Sequence, residues 1–286
     1  MPLEFVYEYE FPDKGAAIGG GAERALKEGG CPSTCQLKEH PNDFVCPIGF
    51  WGLSRVIERH AYDPTLPAPA IVAGDRNTPS RKQLLLRGPY LLAASKEVPN
   101  TLVTALGEQL KAFWRSGVEI VDDWSQWLKA IKQEPILFVV LPHAYGEGQD
   151  ISLEISGHSI ESALINRPYV YPRGSTRSPP IVLLLGCNTA GVAEMKTYAR
   201  HITVFRQAQC AIVLATTAAV VWGADIAAVA QKLLTEFQKA AKNSEDCFGD
   251  ILRDAKRRSV LDSQLVAICL AAIGDADWRL KIPHEA

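Results

Sequence analysis

Three uninterrupted apolar runs constrain this chain more than any other feature: 136–141 (ILFVVL), 181–185 (IVLLL) and 211–216 (AIVLAT). A strand with one wet face alternates apolar and polar residues. A short run that is apolar throughout, and rich in Val and Ile, suits a strand covered on both faces. The segments between and around the runs have helical spacing. In 101–115, Leu102, Leu106, Leu110 and Phe113 fall on one face, which fits an amphipathic helix. The segments 124–132, 193–207, 225–241 and 248–259 also read as helices. Buried strands joined through helices predict an α/β fold, a three-layer α/β/α sandwich with a mostly parallel central sheet.

Shorter pieces complete the pattern. The stretch 83–94 holds two apolar runs broken by Gly88-Pro89, 71–73 is a short run ending at Gly74-Asp75, and 118–121 is a short strand. The alternating 151–155 reads as an edge strand or hairpin arm, and 264–273 as the closing strand. The start of the chain has another texture: an alternating strand-like piece at 4–11, a glycine-rich stretch at 15–21, a short helix at 22–27, and a strong helical pattern over 52–60. The run 63–70 (DPTLPAPA) carries three prolines and reads as a boundary. An N-terminal segment, 1–66, is therefore expected to pack on a core of 67–286.

In mostly parallel sheets functional groups collect just beyond the carboxyl ends of central strands. Run 136–141 leads into Pro142-His143-Ala144-Tyr145-Gly146, and run 181–185 into Gly186-Cys187-Asn188-Thr189-Ala190-Gly191. His143 and Cys187 thus follow two buried strands, 44 residues apart in sequence, which suits neighbours joined by a crossover. The small residues after each are expected to turn and leave the side chain accessible. A cysteine near a helix start feels the positive end of the helix dipole, which favours thiolate. An imidazole beside it can take its proton and return it to a leaving amine. Backbone N–H groups at Ala144 and Cys187 would face a developing oxyanion. Singly, each residue has a bland reading, because free cysteine is commonly buried core and a histidine beside a strand is commonly just hydrogen-bonded. The two at matching strand ends make the candidate site.

Composition narrows the setting. The net charge of −2 gives no electrostatic reason for nucleic acid or an anionic membrane as partner. No apolar run reaches the roughly 20 residues of a membrane span. The first residues lack the basic and apolar stretches of a secretory signal. Seven cysteines, an odd number spread along the chain, fit reduced thiols in a cytoplasmic protein rather than a disulfide framework. No cofactor is expected.

Several stretches also look familiar. CPIGFWGLSRVIER (46–59), VVLPHAYGEG (139–148), IVLLLGCNTAG (181–191) and AIVLATTAAVVWGAD (211–225), with the closing AIGDADWRL (272–280), resemble in order the CHAT family of bacterial caspase-like domains. The resemblance runs from about residue 46 to the end. It implies a caspase-like fold and a cysteine endopeptidase that cleaves a protein substrate through an acyl-enzyme. Cys187 would be the nucleophile and His143 the general acid/base. The family usually has glycine directly after the histidine, where this chain has Ala144. After the cysteine it commonly reads C-x-T-G, where this chain has one more residue before Gly191. The pocket for the first substrate residue would draw on Asp75-Arg76 and on Trp222 to Asp225. Asp75 and Asp225 would select Arg or Lys, and Trp222 would wall the cleft. Asp225 equally suits a helix N-cap, Asp75 a turn, and Arg76 would favour an acidic residue instead. The resemblance also implies control by a sensor or repeat module, in cis or in trans, in antiviral defence or cell death. Two other readings stand beside it: a non-catalytic interaction module, and a cysteine-dependent acyltransferase or esterase on another α/β scaffold.

Three features stand apart. Cys31, Cys35, His40 and Cys46 have the spacing C-x3-C-x4-H-x5-C. Zinc takes four such ligands, but the spacing matches no common finger, and separate reduced cysteines are the alternative; no metal is assigned. Gly19-Gly20-Gly21 lacks the Lys-Ser/Thr of a phosphate loop and reads as a loop. Lys256-Arg257-Arg258 reads as a solvated helix face, with Asp254 pairing Arg258.

Overall fold

The computed structural model describes residues 3–9, 17–33, 35, 43–59, 83–86, 88–114, 117–145, 152–172, 175, 178–186, 200–217, 224–243 and 246–281. In chain order the first elements are β1 (Ala17–Ile18), α1 (Ala22–Glu28), β2 (Phe44–Val45), α2 (Trp51–Ser54), β3 (Gln83–Leu85), β4 (Tyr90–Ala94) and α3 (Asn100–Trp114). Next come β5 (Val118–Val121), α4 (Trp124–Ile131), β6 (Leu137–Leu141), β7 (His143–Tyr145), β8 (Ser152–Ile155), β9 (His158–Glu161) and α5 (Arg167–Val170). The last are β10 (Ile181–Leu184), α6 (Arg200–Gln207), β11 (Ile212–Thr216), α7 (Ala224–Asn243), α8 (Phe248–Leu261), β12 (Leu270–Gly274) and β13 (Arg279–Lys281).

The central sheet has six strands in the order β12-β11-β10-β6-β4-β5. Every pairing is parallel except β11 with β12. The apolar runs are its inner strands β6, β10 and β11, buried at every residue, as is β4. Successive residues feed opposite layers. Leu137, Val139 and Leu141 pack with Leu106 and Leu110 of α3, with α7 and with α8. Phe138 and Val140 pack with Trp127 of α4, Phe205 of α6 and the β8–β9 hairpin. Each such side chain contributes roughly 1.5–3 kcal/mol by leaving water, so both faces must be apolar. This is the three-layer α/β/α sandwich with a mostly parallel sheet that the sequence predicts. Trp127 anchors one layer, edge-on to Phe138 with ring centroids 5.5 Å apart, its Nε1–H donating to the Tyr169 carbonyl at 2.7 Å. No described helix is long and apolar enough to cross a membrane.

The structure departs from the sequence reading at the periphery. The helix expected over 52–60 is the single turn α2, after which Arg55 is extended (φ −116°, ψ 152°). The chain beyond it is drawn into a bridge between Arg59 and Gly274, with the Gly274 N–H donating to the Arg59 carbonyl at 2.7 Å. The strand expected over 4–11 is a 3-10 turn at Leu3–Phe5 and a lone bridge from Tyr7 to Phe50. Of the closing strand, Leu265–Cys269 is a 3-10 helix, and the strand begins at Leu270. The basic run on α8 is solvated only at Arg258, whereas Lys256 and Arg257 are 4% and 9% exposed. The N-terminal segment covers them. Arg257 Nε donates to the Leu53 carbonyl at 2.6 Å, and Lys256 lies 4.0 Å from Glu4, which pairs with Arg59 through two contacts of 2.7 Å. Arg258 pairs with Glu236 at 2.6 Å rather than with Asp254. Helical periodicity cannot register a partner some 200 residues away. The proline-rich 63–70, the run 71–73 and the first part of the helix expected from 193 lie outside the described residues.

Candidate active site

The site is built from the carboxyl ends of β6 and β10, neighbours at the middle of the sheet. Their parallel register pairs Leu137 with Ile181 and Val140 with Leu184, an offset of 44 residues. The pairing continues past the last strand residue, with the Leu185 N–H donating to the Val140 carbonyl at 2.8 Å. Gly186 is the last described residue of this exit. Its carbonyl accepts from the hydroxyl of Thr216, buried at the end of β11. The backbone leading into Cys187 is thus tied to the strands on both sides.

After β6 the chain does not turn as expected. It crosses Pro142 and re-enters a second, three-stranded antiparallel sheet as β7, in the order β7-β8-β9. His143, half-buried, pairs with Glu154, and Ala144, also half-buried, with Leu153. The hairpin turns on Ser156 and Gly157, both with positive φ (46° and 89°), the two-residue connection whose twist matches that of the strands. Glu154 fastens this small sheet to the main one. It is 6% exposed, and its carboxylate accepts from the Ser95 hydroxyl and the Gly157 N–H. Ser95 in turn extends β4, its N–H donating to the Leu141 carbonyl at 2.8 Å, and the Ser156 N–H donates to the Ala94 carbonyl at 2.8 Å. Residues directly opposite in an antiparallel pair share a face, so His143 and Glu154 project to the same side. Glu154 is the site residue that sequence reasoning passed over. The signal was present: Ser156-Gly157 is a turn dipeptide that closes a hairpin behind the alternating 151–155.

Five of the described cysteines differ in chemistry from a catalytic thiol. Burial raises the pKa of Cys46, Cys247 and Cys269. Cys210, wholly enclosed, is pushed up to about 12. Cys31 is also pushed up to about 12, first by loss of water around its sulfur and then by its hydrogen bond with Cys35. A raised pKa keeps a thiol protonated and unreactive near neutrality. A second imidazole also falls away. His201 of α6 bonds Ser162 through Nδ1 at 2.5 Å, but the two are 2% and 0% exposed. That pair ties α6 to the turn after β9 and faces no solvent.

His143 and Ala144 follow β6 directly, as the first two residues of β7. Asp225 is exposed in the first turn of α7. Cys187, Asp75 and Trp222 lie outside the described residues, as does His40. Two small cavities lie away from His143. One is lined by Gly21, Cys35, Phe44 and Cys46, the other by Glu4, Phe248 and Lys256.

No protein-family model matches the sequence, and neither does any curated protein. Among solved structures, gingipain R, an Arg-specific cysteine proteinase, aligns with a TM-score of 0.47 at 11% identity, over 68% of this chain and 46% of that one. The Saccharomyces cerevisiae separase–securin complex aligns in two crystal structures. One gives a TM-score of 0.45 at 15% identity, over 70% of this chain and 12% of the other. The second gives 0.45 at 12% identity, over 70% and 13%. This chain spans less than half the length of the gingipain R chain and a small part of the other. At such scores the reading of the site rests on the chain's own geometry.

Proposed function

We propose that this chain is a cysteine endopeptidase of the CHAT type, with Cys187 as nucleophile and His143 as general acid/base. One observation carries the reading. The β6–β10 register is offset by 44 residues, and His143 and Cys187 are 44 residues apart. This equal spacing supports reading the two residues as following the carboxyl ends of neighbouring strands at the middle of the sheet. Adjacent strands lie about 4.8 Å apart, within reach of a thiol–imidazole hydrogen bond for side chains facing each other. The raised pKa values of five other cysteines favour Cys187 as the reactive one.

In this mechanism the Cys187 thiolate attacks the scissile carbonyl carbon. The Ala144 and Cys187 N–H groups hold the oxyanion. His143, protonated by the thiol, delivers that proton to the leaving amine, and a thioester remains. His143 then takes a proton from water, hydroxide attacks the thioester, and Cys187 leaves as the acid product is released. The fastening of β7 through Glu154 keeps the imidazole in place. Asp75 and Asp225, with Trp222 as a wall, would make the first-residue pocket select Arg or Lys. A thiol nucleophile suits the reducing cytoplasm. Control by a sensor or repeat module, and a role in bacterial defence, follow from the CHAT resemblance.

A fluorogenic peptide library tests the proposal. Hydrolysis after Arg or Lys is expected, and Cys187→Ala is expected to abolish it. His143→Ala is expected to lower it by roughly a hundredfold or more. Hydrolysis that survives Cys187→Ala would falsify the assignment of the nucleophile, and cleavage after acidic residues would reverse the pocket.

A further inference from the structure

Cys31, Cys35 and Cys46 lie together outside the candidate active site, their sulfurs all within 4.8 Å of one another. Local structure makes the meeting. Helix α1 ends at Gly29 in the left-handed conformation (φ 74°), its N–H donating to the Ala25 carbonyl at 2.8 Å. That positive φ strains any residue with a Cβ, so glycine is favoured at this stop. The chain then turns at Pro32, whose carbonyl accepts from the Cys35 N–H at 3.0 Å. The parallel β1–β2 pair sets Ile18 opposite Val45, delivering Cys46 to the same place. There it precedes a 3-10 turn at Pro47–Gly49.

Cys35 and Cys46 are buried in an apolar cluster with Ala25, Leu26, Ile48 and Leu53, and Cys31 opens to solvent. The backbone of Cys46 is held on both sides: its N–H donates to the Tyr7 hydroxyl at 3.0 Å, and its carbonyl accepts from the Gly49 N–H at 2.9 Å. All three cysteines are free thiols. A disulfide would join two sulfurs and leave the third stranded. A tetrahedral zinc ion with Zn–S bonds of about 2.3 Å places its sulfurs about 3.8 Å apart. The observed cluster reaches that spacing by closing at most about one ångström.

We propose that Cys31, Cys35 and Cys46 bind one zinc ion as thiolates, with a fourth position left for a further ligand. Binding releases three protons to solvent and changes no oxidation state. The ion would cross-link the end of α1, the turn after it and the start of the Pro47–Gly49 turn. Of these, the end of α1 lies against the basic face of α8, where the Gly29 carbonyl accepts from Arg257 at 3.5 Å. The site is independent of the peptidase reading, since none of its ligands is a residue proposed for catalysis.

Zinc is measured by elemental analysis of the full chain, purified without chelator and then dialysed. Cobalt is exchanged in to read its thiolate charge-transfer band. About one zinc per chain and a strong cobalt–thiolate band are expected. Cys46→Ser is expected to lose both. Cys31→Ser, at the exposed edge where folding is least at risk, is expected to weaken zinc retention and reduce the band. Cys247→Ser, whose sulfur bonds Asp250 instead, is expected to keep both. Wild-type protein that retains no zinc after loading and dialysis overturns the proposal. So do full retention by Cys31→Ser with an unchanged band, and a mapped Cys31–Cys35 disulfide in freshly purified protein.

Discussion

Lys256 shows how far a residue's environment can part from its sequence signal. In sequence it belongs to a basic run. In the structure it is enclosed beside Glu4, and burial lowers its pKa from 10.5 to about 8, opposed by Glu4 and assisted by Arg59. A lowered pKa means that the unfolded chain binds more protons than the folded one between about 8 and 10.5. Stability from this group therefore rises with pH across that window, and its penalty is full below it. Lys256→Met is expected to stabilise the protein by about 1–3 kcal/mol near neutral pH. The advantage should shrink as pH climbs through the window. Urea midpoints of both proteins across that range check it, and a constant difference contradicts it. The Ser156-Gly157 turn signalled the hairpin that carries Glu154, but its anchoring was not legible, because its partner Ser95 comes from the end of another strand. His143 was legible for the opposite reason: its position follows from one strand that identifies itself.

At the scale of elements, legibility tracked burial on both faces. β6 and β10 are apolar throughout, and β11 up to Thr216, because helices cover each side, and no distant partner is needed to recognise such a run. β7 could not be read. Its three residues form a strand only because β8 pairs with them. α2 failed similarly, since the helical pattern of 52–60 loses to a bridge at Gly274. The β7–β8–β9 sheet makes its own prediction. Glu154→Ala strips the buried Ser95 hydroxyl and Gly157 N–H of their acceptor, at an expected cost of about 2–4 kcal/mol. Glu154→Gln keeps an acceptor and should cost less. Denaturant midpoints decide, and an unchanged midpoint for the alanine variant contradicts the anchoring role.

At the scale of the whole molecule, the described parts of the N-terminal segment are joined to the core at several points. Leu53, wholly buried, packs in the cluster that reaches Val260, Leu261 and Ile268. Leu53→Ala is expected to cost about 2–5 kcal/mol and to lower one calorimetric transition. Two separated transitions would show instead that the segment unfolds by itself. The proline-rich 63–70, read in sequence as a boundary, lies outside the described residues, and the contacts between the chain before it and the core were not legible. The central claim concerns the two strand ends, and alkylation tests it most directly. Full-length protein is treated with iodoacetamide across neutral pH and the adducts are mapped by mass spectrometry, beside His143→Ala. A thiol–imidazole pair predicts that Cys187 is labelled first, with a rate that falls sharply in the variant. Equal, slow labelling of Cys187 and the other accessible cysteines, unchanged by His143→Ala, contradicts it.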